Sequence, residues 1–166
     1  KVNLDGETLQ TNGKNRPSSE VKMHLRIYRE RSDVQAVVHA HPPFATAYAV
    51  MNRPLDRPII PESVIYLGAV PVARYGTPST AEIPDAVSEY IQETDALLLQ
   101  NHGALVYGQE LETVYYRMES LEFYARVTFI CDMLGLDDSH TLDADQISAL
   151  YKVREKMNVP GRHINI

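Results

Sequence analysis

Tryptophan is missing from these 166 residues, and cysteine occurs once, at Cys131. A lone cysteine builds neither a disulfide framework nor a cysteine-based structural zinc site, and this scarcity suits a reducing cytoplasm. Long apolar runs are missing too: none approaches the roughly 18–20 residues of a membrane span. The opening residues do not read as a signal peptide. Positive charge is in short supply, with 16 Lys+Arg against 22 Asp+Glu and a net charge of −6. That balance argues against a nucleic-acid binder, whose affinity rests on Lys and Arg against phosphates. An initiator Met is absent as well. The chain opens Lys1-Val2-Asn3-Leu4-Asp5-Gly6, which reads as mid-domain strand and turn, so a preceding N-terminal segment is expected to be missing.

What is present describes an ordinary globular protein. The composition is 44% hydrophobic and 23% charged, too apolar for a disordered chain. Its length suits a single domain, 1–166, of α/β type, with a cytoplasmic location. Apart from Cys131, the only soft metal ligands are six histidines.

Asp5-Gly6 between short alternating segments predicts a hairpin. Pro17-Ser18-Ser19-Glu20 then opens a helix, with a serine as cap and Val21, Leu25 and Tyr28 at helical spacing, ending near Arg31–Asp33. Val34 to His39 reads as a strand ended by His41-Pro42-Pro43. Phe44 to Met51 follows as a short helix. The proline-rich stretch 54–78 predicts loop with short β pieces at 64–67 and 70–73. Thr80 to Glu93 is amphipathic, with Ile83, Val87 and Ile91 on one face. Buried strands are expected at 96–100 and 104–107, broken at Asn101-His102-Gly103. Leu111 to Leu134 is the longest helical pattern, with Gly135 as its C-cap, and Ala144 to Lys156 forms the last helix.

His39 and His41 stand two apart at a strand end, so both imidazoles point to one side. His102 ends a second strand. If the two strand ends share a rim, three imidazoles converge, and three protein ligands with an open position are the pattern of a catalytic divalent site. Taken singly, each feature has a plainer reading: a chance His-x-His, and a loop histidine bonded to backbone. The ligand set does not choose among transition metals. The Pro17–Glu20 helix start offers unpaired N–H groups and two hydroxyls to an anion such as phosphate, or is simply a capped N-terminus. Glu20 could reach a metal or transfer a proton. His24 reads as a surface or interface residue, His140 and His163 as solvated, and Cys131 as a buried small apolar side chain. Tyr115, Tyr116, Phe123 and Tyr124 read as packing against the core or a neighbouring subunit.

Pro17-Ser18-Ser19-Glu20, Ala36-Val37-Val38-His39-Ala40-His41 and Leu99-Gln100-Asn101-His102-Gly103-Ala104 together resemble the class II aldolase/adducin-head family, in its order and at about its spacing. Tyr66-Leu67-Gly68 with Val70-Pro71-Val72, and Tyr75 ahead of Thr77-Pro78-Ser79-Thr80, add to the resemblance, which runs from about residue 2 to 155. It implies a three-layer fold, a central mainly antiparallel sheet flanked by helices. It implies Zn2+, one per subunit or another divalent metal in its place, on His39, His41 and His102, with Glu20 completing the shell or acting as acid/base. It implies Ser18 and Ser19 as phosphate contacts, and a homotetramer with sites at subunit interfaces. The implied activity is reversible cleavage of a ketose 1-phosphate, like L-fuculose 1-phosphate, to dihydroxyacetone phosphate and an aldehyde. The alternatives are a sugar-phosphate 4-epimerase or dehydratase on the same site, or a non-catalytic scaffold. Glu rather than Asp at position 20 favours the aldolase over the epimerase. Two of the family's phosphate-contacting segments would precede Val2. The tyrosine expected to protonate the aldehyde-side oxygen falls at Ile60, and the family's C-terminal tyrosine falls near residues 157–159, where none stands.

Overall fold

The computed structural model describes residues 1–166. In chain order it contains α1 (Val21–Glu30), β1 (Ala36–Ala40), α2 (Pro43–Val50), α3 (Pro61–Tyr66), β2 (Val72–Ala73), α4 (Glu82–Ser88), β3 (Ala96–Leu99), β4 (Gly103–Gly108), α5 (Leu111–Met133), and α6 (Ala144–Lys156), with a 3-10 turn at Asp138–His140. The strands form one sheet in the order β1-β4-β3-β2. β1 with β4 and β3 with β4 are antiparallel, and the short β2 pairs with β3 in parallel.

Side-chain alternation divides the sheet into two apolar faces. Ala36, Leu98, Ala104 and Val106 pack with Tyr48 of α2 and Leu121 and Tyr124 of α5. Val37, Leu97, Leu99, Leu105 and Tyr107 pack on the other face with Met23 and Ile27 of α1 and Val87 of α4. The expected layering of helices on both sides of a mainly antiparallel sheet is therefore present. Each fully buried Leu or Ile contributes about 1.5–3 kcal/mol, so β3, buried at all four positions, anchors both layers. No helix is long and apolar enough to cross a membrane.

Several local expectations change. The Asp5-Gly6 hairpin closes only one bridge, Val2 to Thr8, because these exposed residues offer no apolar face to extend it. Residues 61–66 form α3, where a loop with a β piece at 64–67 is expected from sequence. Pro61 occupies the first helical turn, where its fixed φ suits a helix and its missing N–H costs nothing, and Ser63, Val64 and Ile65 are buried. The helix expected over 80–93 is regular only over Glu82–Ser88. Ser18 does not cap α1 from the N-cap position, which Glu20 occupies; its Oγ accepts from the Glu20 N–H at 3.3 Å. Cys131 is half-buried, not buried. Tyr124 is buried, whereas Tyr115, Tyr116 and Phe123 face outward. His140 is exposed beside Asp137, but His163 is half-covered, its ring against Tyr151 and its Nε2 buried.

Arg31, at the expected end of the first helix, is 1% exposed. Its guanidinium donates to Asp33, to the Ile91 carbonyl and to Asp95. Asp95 also accepts from Arg117 and from the backbone N–H of Arg162. This network ties β3, α5 and the C-terminal segment together at one end of the sheet.

Candidate metal centre

Strand register assembles the three histidines at the other end. Ala40 pairs with Ala104 and Leu99 with Gly103, so the end of β1 lies beside the three-residue loop that joins β3 to β4. Asn101 takes a left-handed conformation (φ 56°), which turns that loop tightly. The Asn101 N–H donates to the Ala49 carbonyl of α2, and the His102 N–H to the Leu99 carbonyl. His102 is thereby held at the rim, next to His39 and His41.

One ligand atom from each imidazole lies within 4.8 Å of the others. His39 shares the Val37 face of β1 and therefore looks toward α1. Its Nδ1 donates to the Ala104 carbonyl at 2.9 Å, which directs Nε2 into the cluster, where it lies 3.1 Å from His41 Nε2. His102 Nδ1 is buried and has no hydrogen-bond partner. Three converging imidazoles, with ring nitrogens crowded together and one unpartnered, are a donor set that could hold a metal ion.

Burial, reinforced by the charges of the neighbouring imidazoles, pushes His39 down to about 4, against the pull of the Ala104 carbonyl. Burial also lowers His102, with the Glu20 carboxylate opposing the shift. Both rings are therefore neutral at neutral pH, the form that binds a cation. In the metal-free chain this carries a stability cost. Between about 4 and the ordinary 6.5 the unfolded state binds the His39 proton more readily than the folded state does, so stability falls as pH drops through that window. Above it, His39 has no effect. Urea midpoints at pH 7 and pH 4.5 should show a smaller acid loss in His39→Gln than in the wild type; equal losses would refute the assignment.

Gly103 shapes the site by having no side chain. A Cβ there would lie 2.5 Å from Cδ2 of His41 and 2.6 Å from the Ala40 carbonyl oxygen. The Gly103→Ala methyl group must therefore push the His41 ring away or part β1 from β4. The expected cost is about 1–3 kcal/mol, read by chemical denaturation, together with weaker uptake of a divalent cation in a titration. Unchanged values in both would contradict the close packing.

Glu20 does not join the three-histidine group, although its charge acts on His102. It lines a cleft of about 530 Å³ at the start of α1 with Thr11, Asn12, Arg16, Ser18 and His24. Ser18 belongs to this cleft; Ser19 is exposed outside its lining. Ile60, where the aldehyde-side tyrosine was expected, is the N-cap of α3, packed beside the core, and residues 157–159 follow α6. Arg16 and His24 were not foreseen as site residues. His24 on α1 stands four positions after Glu20, the N-cap of that helix, a spacing that places both on one side. Burial lowers the His24 pKa, and its charge reaches His39.

Comparison with known proteins extends the picture. The profile of the family described as Class II Aldolase and Adducin N-terminal domain matches residues 1–129. L-fuculose phosphate aldolase of Methanococcus maripaludis strain C5 is 30% identical over 122 residues, covering 74% of this chain and 66% of that protein. 3-Oxo-tetronate 4-phosphate decarboxylase of Escherichia coli K12 is 36% identical over 155 residues, covering 90% and 70%. A solved structure of L-fuculose 1-phosphate aldolase superposes with a TM-score of 0.81 at 28% identity, covering 95% of this chain and 70% of that one. The chain thus spans about two thirds of the length of the curated relatives it matches.

Proposed function

The chain belongs to the class II aldolase and adducin family, and from that membership we propose that it is a zinc-dependent aldolase. Its substrate is a ketose 1-phosphate of the L-fuculose 1-phosphate kind, cleaved reversibly to dihydroxyacetone phosphate and an aldehyde. The observation that carries this reading is the convergence of His39, His41 and His102 at the sheet rim, within electrostatic reach of a carboxylate at a helix start.

The neutral imidazoles of His39, His41 and His102 would hold the cation, and Glu20 would be the nearby carboxylate available to complete its shell. When bound, a divalent cation supplies a Lewis acid that polarises the substrate carbonyl. Glu20 exchanges a proton with the carbon left electron-rich when the carbon–carbon bond breaks. Ser18, lining the cleft at the positive end of the α1 dipole, would take the phosphate with the adjoining Ser19 hydroxyl, and Arg16 in the cleft with Ser18 adds charge of the right sign. All five lysines are exposed, so none has the buried setting that would depress its pKa for Schiff-base chemistry. A homotetramer with sites at subunit boundaries accords with the outward-facing stripe Leu111, Tyr115, Tyr116, Phe123, Ile130 and Leu134 along α5, the kind of apolar surface a partner covers.

A second reading, decarboxylation of a 3-oxo acid carrying a 4-phosphate, is favoured by the relatives of that activity at 36% identity over nine tenths of the chain. Both reactions break a bond to a carbon beside a carbonyl and need the same electron sink. Product analysis of the zinc-loaded protein separates them. Dihydroxyacetone phosphate released from L-fuculose 1-phosphate supports the aldolase; carbon dioxide from a 3-oxo-tetronate 4-phosphate, without aldol cleavage, replaces it with the decarboxylase. A wild-type protein that takes up no divalent metal defeats both.

A further inference from the structure

Among the three histidines, His41 is the exposed one. Its ring meets the other two imidazoles, with Nε2 3.1 Å from His39 Nε2, and its backbone leads straight into α2 through Pro42-Pro43. A residue before proline is confined to extended conformations, and each proline fixes its own φ. The link from His41 to α2 is therefore stiff, so whatever anchors the start of α2 also aims His41.

That anchor lies on α5. An α-helix begins with backbone N–H groups that have no partner within the helix. In α2, Pro42 and Pro43 remove two of these donors, and the Thr46 N–H already reaches the Pro42 carbonyl at 2.9 Å. The remaining pair, Phe44 and Ala45, both donate to Glu122: Phe44 N to Oε1 at 3.0 Å and Ala45 N to Oε2 at 2.8 Å. One carboxylate thus satisfies both donors and places negative charge at the positive end of the helix dipole. α2 has no side-chain cap of its own.

We propose that Glu122 is a positioning residue for the histidine cluster, fixing His41 through its two-point grip on the first turn of α2 and the rigid Pro42-Pro43 link. The inference rests on the metal-binding reading of the cluster, but Glu122 touches neither metal nor substrate. The amide of Glu122→Gln keeps one acceptor and turns an N–H against the other donor.

The experiment measures zinc affinity of the purified chain by chelator competition, and the visible absorption of the cobalt-substituted protein as a report of coordination. Glu122→Gln is expected to weaken zinc binding by about 10- to 100-fold and to shift the cobalt bands, with secondary structure kept. Glu119→Gln, one turn away and exposed, leaves both unchanged. Affinity within about fivefold of the wild type, with unshifted cobalt bands, overturns the proposal and leaves Glu122 a plain helix cap. Should Glu122→Gln not fold, Pro42→Gly decides: it keeps both Glu122 bonds but loosens the link, and unchanged zinc affinity overturns the proposal while weakened affinity supports it. If the wild type binds no zinc, the metal reading fails and this proposal with it; if the wild type binds zinc and Glu122→Gln matches it, only the role of Glu122 fails.

Discussion

His102→Ala is expected to remove tight zinc binding and to cut the proposed cleavage of a ketose 1-phosphate by about three to four orders of magnitude. A Lewis acid at the carbonyl stabilises the transition state by several kcal/mol, and each 1.36 kcal/mol is about tenfold in rate. With two imidazoles left, a cation would be held too weakly to stay. The loss should be specific, because His102 sits at a hairpin tip and its Nδ1 has no hydrogen-bond partner. The Asn101 and His102 backbone bonds that shape the loop survive the substitution. Thermal melting of the metal-free variant should therefore stay close to that of the metal-free wild type. Elemental analysis and steady-state kinetics at saturating zinc provide the check. A variant that retains one zinc per chain and most of its turnover would exclude His102 as a ligand. His140→Ala, altering an exposed imidazole paired only locally with Asp137 and Ser139, serves as the unaffected control.

The largest effect on stability should come from the opposite end of the sheet. Asp95 is 2% exposed and lies 3.0 Å from Arg31 and 3.2 Å from Arg117. Asp95→Asn would leave two buried guanidinium groups facing each other without the carboxylate that reconciles them. Breaking a buried pair in this way costs about 3–5 kcal/mol. At roughly 2–4 °C per kcal/mol for a chain of this size, the melting temperature should fall by about 6–20 °C. The Arg162 backbone N–H, which donates to Asp95 at 3.1 Å, weakens at the same time and loosens the C-terminal segment. Zinc affinity should change little, because β3 separates Asp95 from the His102 loop. The exposed Arg74–Glu89 pair offers the contrast: Glu89→Gln should cost less than about 1 kcal/mol. Similar melting shifts for the two variants would show that the buried network does not carry the stability assigned to it.

Much of this architecture is readable before folding is considered. Continuous apolar runs mark β3 and β4, helical periodicity marks α5 and α6, and Gly135 (φ 86°) ends the longest helix as expected. The β piece expected at 64–67 falls in α3 and its C-cap: Val64 and Ile65 favour strands, but Pro61 at the helix start and the burial of Ser63, Val64 and Ile65 favour the helix. Propensity is local, and packing outweighed it. Arg31 shows the same limit. Its neighbours in sequence suggest a solvated last turn, yet Asp95 and Arg117, remote in sequence, draw it inside.

The sequence alone determined which chemistry is available: three histidines at two strand ends, and a carboxylate and two hydroxyls at a helix start. Only the tertiary structure decided that the three histidines meet. The antiparallel register of β1 and β4 brings His39 and His41 to His102, Gly103 makes room for the ring of His41, and Glu122 closes the first turn of α2 from across the helix layer. Each of these depends on pairing between segments far apart in the chain, set by the shared burial of two sheet faces. Local periodicity carries no record of such pairings.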